Sequence, residues 1–329
     1  MPTKIIYGNG ELNNIDKYIN NRKTLIVTSN GFIKRGLINK VKKLTNSVIE
    51  VISDIKSHPQ FKDLDVLYNY IKDINFELIV AIGGGSVIDS AKYFISKHNK
   101  NISLISIPTT AGTGSEITPW ATIWDMQNKK KHSISGYNLF SEIVIYDCSL
   151  TLSVPKHITI QTALDTLSHA LESIWNKNAN EITINYAIKS AKLIIDNIVL
   201  LSNNLDNLEY RDNIMKACMY AGLAFCHTQT AIAHAMSYYI TAHKGIDHGI
   251  ACSFTLPMLV DKIIGKYQFI DQAFIEIFGE LNSNILRDIF KSLNISTKFS
   301  DYGIKYKDIL DNIDNTRLKN SLIKENDVK

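Results

Sequence analysis

Four side chains of this sequence have the types and spacing to hold a divalent metal ion. Asp165 and His169 stand four residues apart in QTALDTLSHA (161–170), an apolar, helix-forming run. That spacing places a carboxylate and an imidazole on one helix face, about one turn apart. Downstream, His234 in TQTAIAHAMSYY and His248 in KGIDHGIAC offer two further imidazoles. One carboxylate with three imidazoles is a mixed oxygen and nitrogen set suited to Fe²⁺ or Zn²⁺. Alone, the Asp165/His169 pair more often reads as a helix acid beside an ordinary surface or core histidine. Its weight as a metal site comes from what accompanies it.

Two glycine-rich stretches carry a second kind of chemistry. In GGGSVIDSAK (83–92) a strand pattern ends at Ile82 and three glycines permit a tight turn. Ser86 stands where it would cap the next helix, with Asp89 three residues on as in a capping box. Glycines there let a phosphate approach main-chain N–H groups, at a helix start whose dipole favours anions. A strand-to-helix turn without a ligand is the plainer alternative, because this is not the usual GxGxxG fingerprint. PTTAGTGSEIT (108–118) follows the next strand pattern and gathers Thr109, Thr110 and Thr113 around two glycines. Hydroxyls and exposed N–H groups suit a pyrophosphate or ribose; a plain polar loop is the alternative. Two such loops at one edge of a sheet favour a nucleotide.

These residues need elements to position them. Apolar runs at 23–28, 47–52, 77–82 and 102–107 read as buried strands, with helical patterns at 31–44 and 64–74 between them. Such alternation implies a parallel sheet with helices on both faces, an α/β domain over residues 1–152. Beyond Pro155 long amphipathic helices dominate, giving an all-α second domain over residues 153–329. The 329 residues, 45% hydrophobic and 21% charged, suffice for two buried cores. A net charge of +4, with no basic patch interleaved with aromatics, argues against a nucleic-acid partner. No apolar run is long enough to span a membrane, and MPTKIIYGNG lacks a signal-peptide core, so the expected location is cytoplasmic. The scattered Cys148, Cys218, Cys226 and Cys252 form no CxxC pair and read as small core residues. Residues 324–329 read as a disordered tail.

With Asp165, His169, His234 and His248 set beside GGGSVIDSAK and PTTAGTGSEIT, the sequence closely resembles the iron-containing (group III) alcohol dehydrogenases. The likeness runs from IIYGNGEL to SLNISTKFSDYGI and includes the spacing of fourteen between His234 and His248. It implies a Rossmann-like N-terminal domain and an all-α C-terminal domain, the dehydroquinate synthase-like architecture, with the active site in the cleft between. It also implies that the four residues bind Fe²⁺, with Zn²⁺ as the alternative. Gly84, Gly85, Ser86 and Asp89 would surround a cofactor pyrophosphate, with Thr109, Thr110 and Thr113 on the next loop and Lys131 contacting the cofactor. The implied reaction is hydride transfer between NAD(P)(H) and a small aldehyde or primary alcohol, in a homodimer.

Three departures refine the expectation. After the first strand the family often carries Thr-Asp, whose acid binds the adenosine ribose and repels a 2′-phosphate. Here Thr28-Ser29-Asn30 lacks that acid and Lys34 and Arg35 follow, so the cofactor expectation leans to NADP(H). Many relatives place a second histidine four residues beyond the third ligand, where this chain has Tyr238. A tyrosine, with a reference pKa of about 10, is a poor free base near neutrality but can donate a hydrogen bond. The chain is also shorter than typical members, which suggests a trimmed helical domain. Within the family, TPWATIWD (118–125) and TAHKGIDHGIACSFTLP (241–257) look most like the phosphonoacetaldehyde reductase branch. Lactaldehyde, butanol or 1,3-propanediol enzymes of the family are the alternatives, as is a non-redox enzyme resembling dehydroquinate synthase.

Overall fold

Runs of leucine and β-branched residues buried on both faces build a parallel sheet. The computed structural model describes residues 2–98, 100–128, 130–324 and 327. Of the tail at 324–329, only Lys324 and Asp327 fall within that range; the rest lies outside the described residues. The strands are β1 (Lys4–Tyr7), β2 (Thr24–Thr28), β3 (Val48–Ile52), β4 (Leu78–Gly83), β5 (Ser103–Pro108), β6 (Trp120–Asp125), β7 (Lys130–Ser135) and β8 (Ile143–Tyr146). Six of them form one parallel sheet in the order β1-β8-β5-β4-β2-β3, while β6 and β7 pair as an antiparallel hairpin. Side chains alternate across the sheet with the strand period of two. Leu25, Val27, Ile79, Ala81 and Leu104 join one core layer with Val87 and Phe94. Ile26, Val80, Ile82, Ile105 and Ile107 join the other with Ile15, Ile38 and Val41.

The helices that connect these strands are α1 (Ile15–Ile19), α2 (Asn30–Lys34), α3 (Leu37–Leu44), α4 (Phe61–Ile71) and α5 (Gly85–Lys97). The single helix expected over 31–44 is two, because Gly36 takes a left-handed φ of 76° between them. Strands β1 and β8, four residues each, are too short to show a period in the sequence and went unanticipated. So did the β6–β7 hairpin.

The topology picks out one end of this sheet. From β2 the chain leads to its neighbour β3, whereas from β4 it leads to β5 on the opposite side, so the connections diverge between adjacent β2 and β4. The crevice outside the carboxyl ends of two such strands is where open α/β sheets take ligands. Those ends are Thr28-Ser29 and the triple glycine at 83–85. Backbone crowding explains the glycines: a Cβ on Gly83 would lie 2.5 Å from Val87 Cγ2, and one on Gly84 3.0 Å from Thr110 Oγ1.

The loop that follows β5 is tied down by a buried cation. Lys92 on α5, fully buried, donates from Nζ to the carbonyl oxygens of Ser115, Thr118 (2.6 Å) and Trp120 (3.0 Å). An ammonium inside a protein is tolerable only when its donors are satisfied, and three carbonyl dipoles do that here.

The chain divides into two compact units, Met1–Thr110 with Gly114–Ser153 and Ala111–Thr113 with Val154–Lys329. The second is helical: α6 (Lys156–Ile174), α7 (Glu181–Asn203), α8 (Leu208–Thr228), α9 (Ile232–Lys244), α10 (His248–Ser253), α11 (Leu256–Ile263), α12 (Gln268–Phe278), α13 (Asn284–Ser292), α14 (Tyr306–Leu310) and α15 (Asn315–Leu318). Helix α6 is buried on every face from Ala163 to Ile174, as expected of a helix at the centre of a core. It packs against α7, α8 and α10, and Ser168 Oγ donates to the Cys252 carbonyl 3.1 Å away. Among the described residues no helix is long and apolar enough to cross a membrane.

Candidate metal centre

Helix α6 presents Asp165 and His169 on one face, and α9 and α10 bring His234 and His248 to meet them. One ligand atom each from Asp165, His234, His248 and Cys252 lies within 4.8 Å of all the others. His234 Nε2 is 3.3 Å and His169 Nε2 3.7 Å from Asp165 Oδ1. The His169 ring stacks between Phe225 (centroids 4.2 Å apart) and His234 (4.6 Å). Three helices and a run of 84 residues thus converge on a single carboxylate oxygen.

Close backbone packing fixes the spacing. Gly249, next to His248, sits so near α6 that a Cβ there would lie 1.9 Å from the Gln161 carbonyl oxygen. Gly112, in the segment that clusters with the helical unit, approaches α6 as closely: its Cβ would fall 2.6 Å from Thr162 Cβ.

The electrostatics of the group call for a cation. Burial would raise the Asp165 carboxyl, yet the surrounding imidazoles of His169, His234 and His248 hold it below the usual carboxylate range. Burial disfavours charge on His234 too, but Glu172 and Asp165 outweigh it and push that imidazole up to about 9. Burial takes His169 the other way, down to about 4, against the pull of Asp165. Asp165 and Glu172 are 4% and 0% exposed, and His234 lies against both. Two buried carboxylates are costly unless positive charge stands beside them, and the one imidazole shared between them supplies a single charge at most. A divalent ion among these nitrogen and oxygen donors fits that need: it would displace the proton that His234 Nε2 otherwise holds 3.3 Å from Asp165 Oδ1.

Two neighbours were not anticipated. Cys252 is a buried core residue, but its thiol donates to Asp165 Oδ1 at 3.3 Å. Burial and Asp165 push that thiol well above its usual pKa. Its position four residues after His248, on the same helix, was the available signal. Glu172 lies 2.6 Å from His234 Nδ1, and its spacing of seven from Asp165 and three from His169 marks the same face of α6.

Tyr238 stacks against His248 with centroids 6.3 Å apart. His243, the other histidine near the end of α9, is exposed, and its Nδ1 lies 3.1 Å from the Tyr239 carbonyl oxygen, which accepts from it. The residues expected around a pyrophosphate lie in the first unit, Thr113 excepted. Ser29 precedes α2 as its cap residue, and it pairs with Asp54 in an isolated antiparallel bridge. Gly84, rather than Ser86, occupies the cap position of α5, and no side chain caps that helix. The capping-box expectation fails because Asp89 is engaged elsewhere, accepting from Ser115 Oγ at 2.5 Å and from the Thr122 N–H at 3.1 Å. Thr109 is buried, and its N–H donates to the Gly83 carbonyl at 3.0 Å. Thr110 packs on Gly84. Lys131, on β7, holds its ammonium 5.7 Å from the centre of the Trp124 ring. Thr113 belongs to the segment that clusters with the helical unit.

A parallel α/β sheet unit and an all-α unit carrying this cluster define the dehydroquinate synthase-like class of two-part folds. The family pattern described as "Iron-containing alcohol dehydrogenase" matches residues 2–148, and "Fe-containing alcohol dehydrogenase family, C-terminal" matches residues 159–327. The chain belongs to the iron-containing alcohol dehydrogenase family, and it is an oxidoreductase. It is 29% identical over 343 residues to a sulfoacetaldehyde reductase of Bilophila wadsworthia, covering 93% of this chain and 88% of that one. An NADPH-dependent butanol dehydrogenase of Clostridium saccharobutylicum is 24% identical, over 95% of this chain and 89% of the relative. Among solved structures, the sulfoacetaldehyde reductase of Bifidobacterium kashiwanohense in complex with NAD⁺ superposes with a TM-score of 0.92 at 26% identity, covering 99% of this chain and 94% of that one.

Proposed function

We propose that this chain is a metal-dependent, NAD(P)(H)-linked reductase of short aldehydes, working in reverse on primary alcohols. The observation that carries the reading is the convergence of Asp165, His234 and His248 ligand atoms within 4.8 Å, with His169 3.7 Å from the same carboxylate. Asp165, His169, His234 and His248 would hold the ion, Fe²⁺ first and Zn²⁺ second. A divalent ion held there supplies Lewis-acid polarisation of a carbonyl oxygen, and a nicotinamide supplies the hydride. The protein's own part is to hold the four donors in place, keep the imidazole lone pairs available and orient the cofactor. Gly84, Gly85 and Ser86 sit at the strand end where the sheet topology favours a dinucleotide, with Thr109 and Thr110 on the adjacent strand end. Tyr238, beside His248, is assigned as a hydrogen-bond donor rather than a base.

The substrate class we infer is a two-carbon aldehyde bearing a phosphonate or sulfonate group. Support comes from the runs at 118–125 and 241–257 and from the sulfoacetaldehyde reductases among the relatives. The test is NADH and NADPH oxidation by protein loaded separately with Fe²⁺ and Zn²⁺. The panel is phosphonoacetaldehyde, sulfoacetaldehyde, lactaldehyde, butyraldehyde and succinic semialdehyde. The charged two-carbon aldehydes are expected to give the highest kcat/KM; loss of neither cofactor with any aldehyde or metal would defeat the proposal.

For the cofactor, Ser29 and Asn30 follow β2 and bring no carboxylate of their own to a 2′-phosphate, and Asp54 is the acid bridged to Ser29. We carry NADP(H) as the preferred form. Ser29→Asp is expected to weaken NADPH binding by at least tenfold and NADH binding far less, because it adds a like charge beside the phosphate. Equal losses in the two titrations would remove Ser29 from the ribose site.

A further inference from the structure

Helix α9 carries His234 on its third residue, yet Ala231 gives that helix no side-chain cap. Its leading N–H groups are buried and would otherwise lack acceptors. The acceptor comes from α6. Glu172 takes the N–H of Ala233 (2.5 Å) and of His234 (3.2 Å) on Oε1, while Oε2 takes the proton of His234 Nδ1 at 2.6 Å. The same carboxylate therefore caps the helix, complements its dipole and binds the ring it carries. With Nδ1 donating, the lone pair of the neutral, metal-binding form of His234 belongs to Nε2, the atom 3.3 Å from Asp165 Oδ1.

We propose that Glu172 is the positioning residue of the metal centre, setting both the tautomer of His234 and the place where α9 begins. This rests on the metal-binding reading above. Helix α6 then contributes Asp165 and His169 directly and controls His234 through a carboxylate one turn further along. The demand on residue 172 is specific: two acceptor oxygens facing three donors. A glutamine has one acceptor and one NH₂ group. Whichever way its amide is turned, either the Nδ1–H or the backbone N–H groups meet a donor. Turned so that the backbone keeps its acceptor, the amide favours a His234 tautomer whose Nε2 is protonated and unavailable to a metal.

The test uses the full-length protein freed of metal and titrated with Zn²⁺ in competition with a fluorescent chelator. Glu172→Gln is expected to weaken Zn²⁺ binding by about 10- to 100-fold, the usual effect of losing the carboxylate behind a ligating histidine. NADPH binding should stay unchanged. In ¹⁵N-histidine-labelled, Zn²⁺-saturated protein, wild type should show a slowly exchanging Nδ1 proton on His234 that the variant lacks. A purely structural role would lower the thermal midpoint without moving that resonance. Equal Zn²⁺ affinity in the two proteins, or no such proton in wild type, would overturn the proposal while leaving the metal site intact. Wild type that takes up no Zn²⁺ would overturn the metal reading and this inference with it. If Glu172→Gln does not fold, Glu172→Asp decides: it keeps the charge but, one methylene shorter, cannot reach all three donors. It should bind Zn²⁺ at least severalfold more weakly, and unchanged affinity would count against the proposal.

Discussion

His248→Ala is expected to lower aldehyde turnover by on the order of 10³-fold or more while leaving a folded protein that still binds NADPH. Lewis-acid stabilisation of a developing alkoxide is worth several kcal/mol, and each 1.4 kcal/mol is tenfold in rate. His248 is the cleanest of the proposed ligands to remove because it begins α10 and is only half buried. His169→Ala should abolish turnover equally, but it also vacates the space between Phe225 and His234. A cavity of that kind costs stability independently of metal, so its unfolding midpoint should fall further than that of His248→Ala. Turnover, metal content by elemental analysis, NADPH titration and thermal unfolding on the same preparations separate these effects. A His248→Ala enzyme stripped of metal yet fully active would end the assignment.

Gly249→Ala is expected to disable the site while keeping every ligand. The added methyl would sit 1.9 Å from the carbonyl oxygen of Gln161 and 2.7 Å from its carbonyl carbon. Both are backbone atoms, which no rotamer change can move aside. Helix α10 must retreat by roughly 1 Å or more to restore ordinary contact, and His248 moves with it. Metal–ligand distances tolerate only about 0.2 Å, so Zn²⁺ affinity should fall by at least about 100-fold. The overpacking itself should cost about 1–3 kcal/mol, read as a lower denaturation midpoint. Unchanged Zn²⁺ affinity would mean that α10 and α6 separate without disturbing His248.

What could be read beforehand depended on whether a residue acts through its own type or through its neighbours. Asp165 and His169 become legible once the downstream histidines stand beside them, because a helix of period 3.6 stacks positions four apart. The triple glycine is legible because few residues let a strand turn straight into a helix. The reason for Gly249, the approach of a carbonyl 88 residues earlier in the chain, is invisible without coordinates. Glu172 and Lys92 escaped for the same reason. A glutamate or lysine in a helix is by default a solvated side chain; only the fold reveals that each is buried and satisfied by backbone groups from distant segments. The split of the helix over 31–44 at Gly36 was present in the sequence and under-read, since a glycine within a helical pattern does signal a possible end.

The entry into α9 has a consequence for how the molecule is made. Gln229, just before that helix, holds φ 64° and ψ 179°, a region costing about 1–3 kcal/mol for any residue with a side chain. Its side-chain oxygen accepts from Arg317 (3.3 Å) and Asn320 (3.4 Å), and Asn320 also donates to the Thr230 carbonyl. These partners are translated some ninety residues later. Until they dock, Gln229 is held only by earlier partners, its N–H donating to the Phe225 carbonyl (2.7 Å) and its carbonyl accepting from Asn176 (3.2 Å), so His234 emerges before its scaffold is complete. Ribosome-bound intermediates ending short of residue 320 should therefore bind a divalent metal ion more weakly than the full chain.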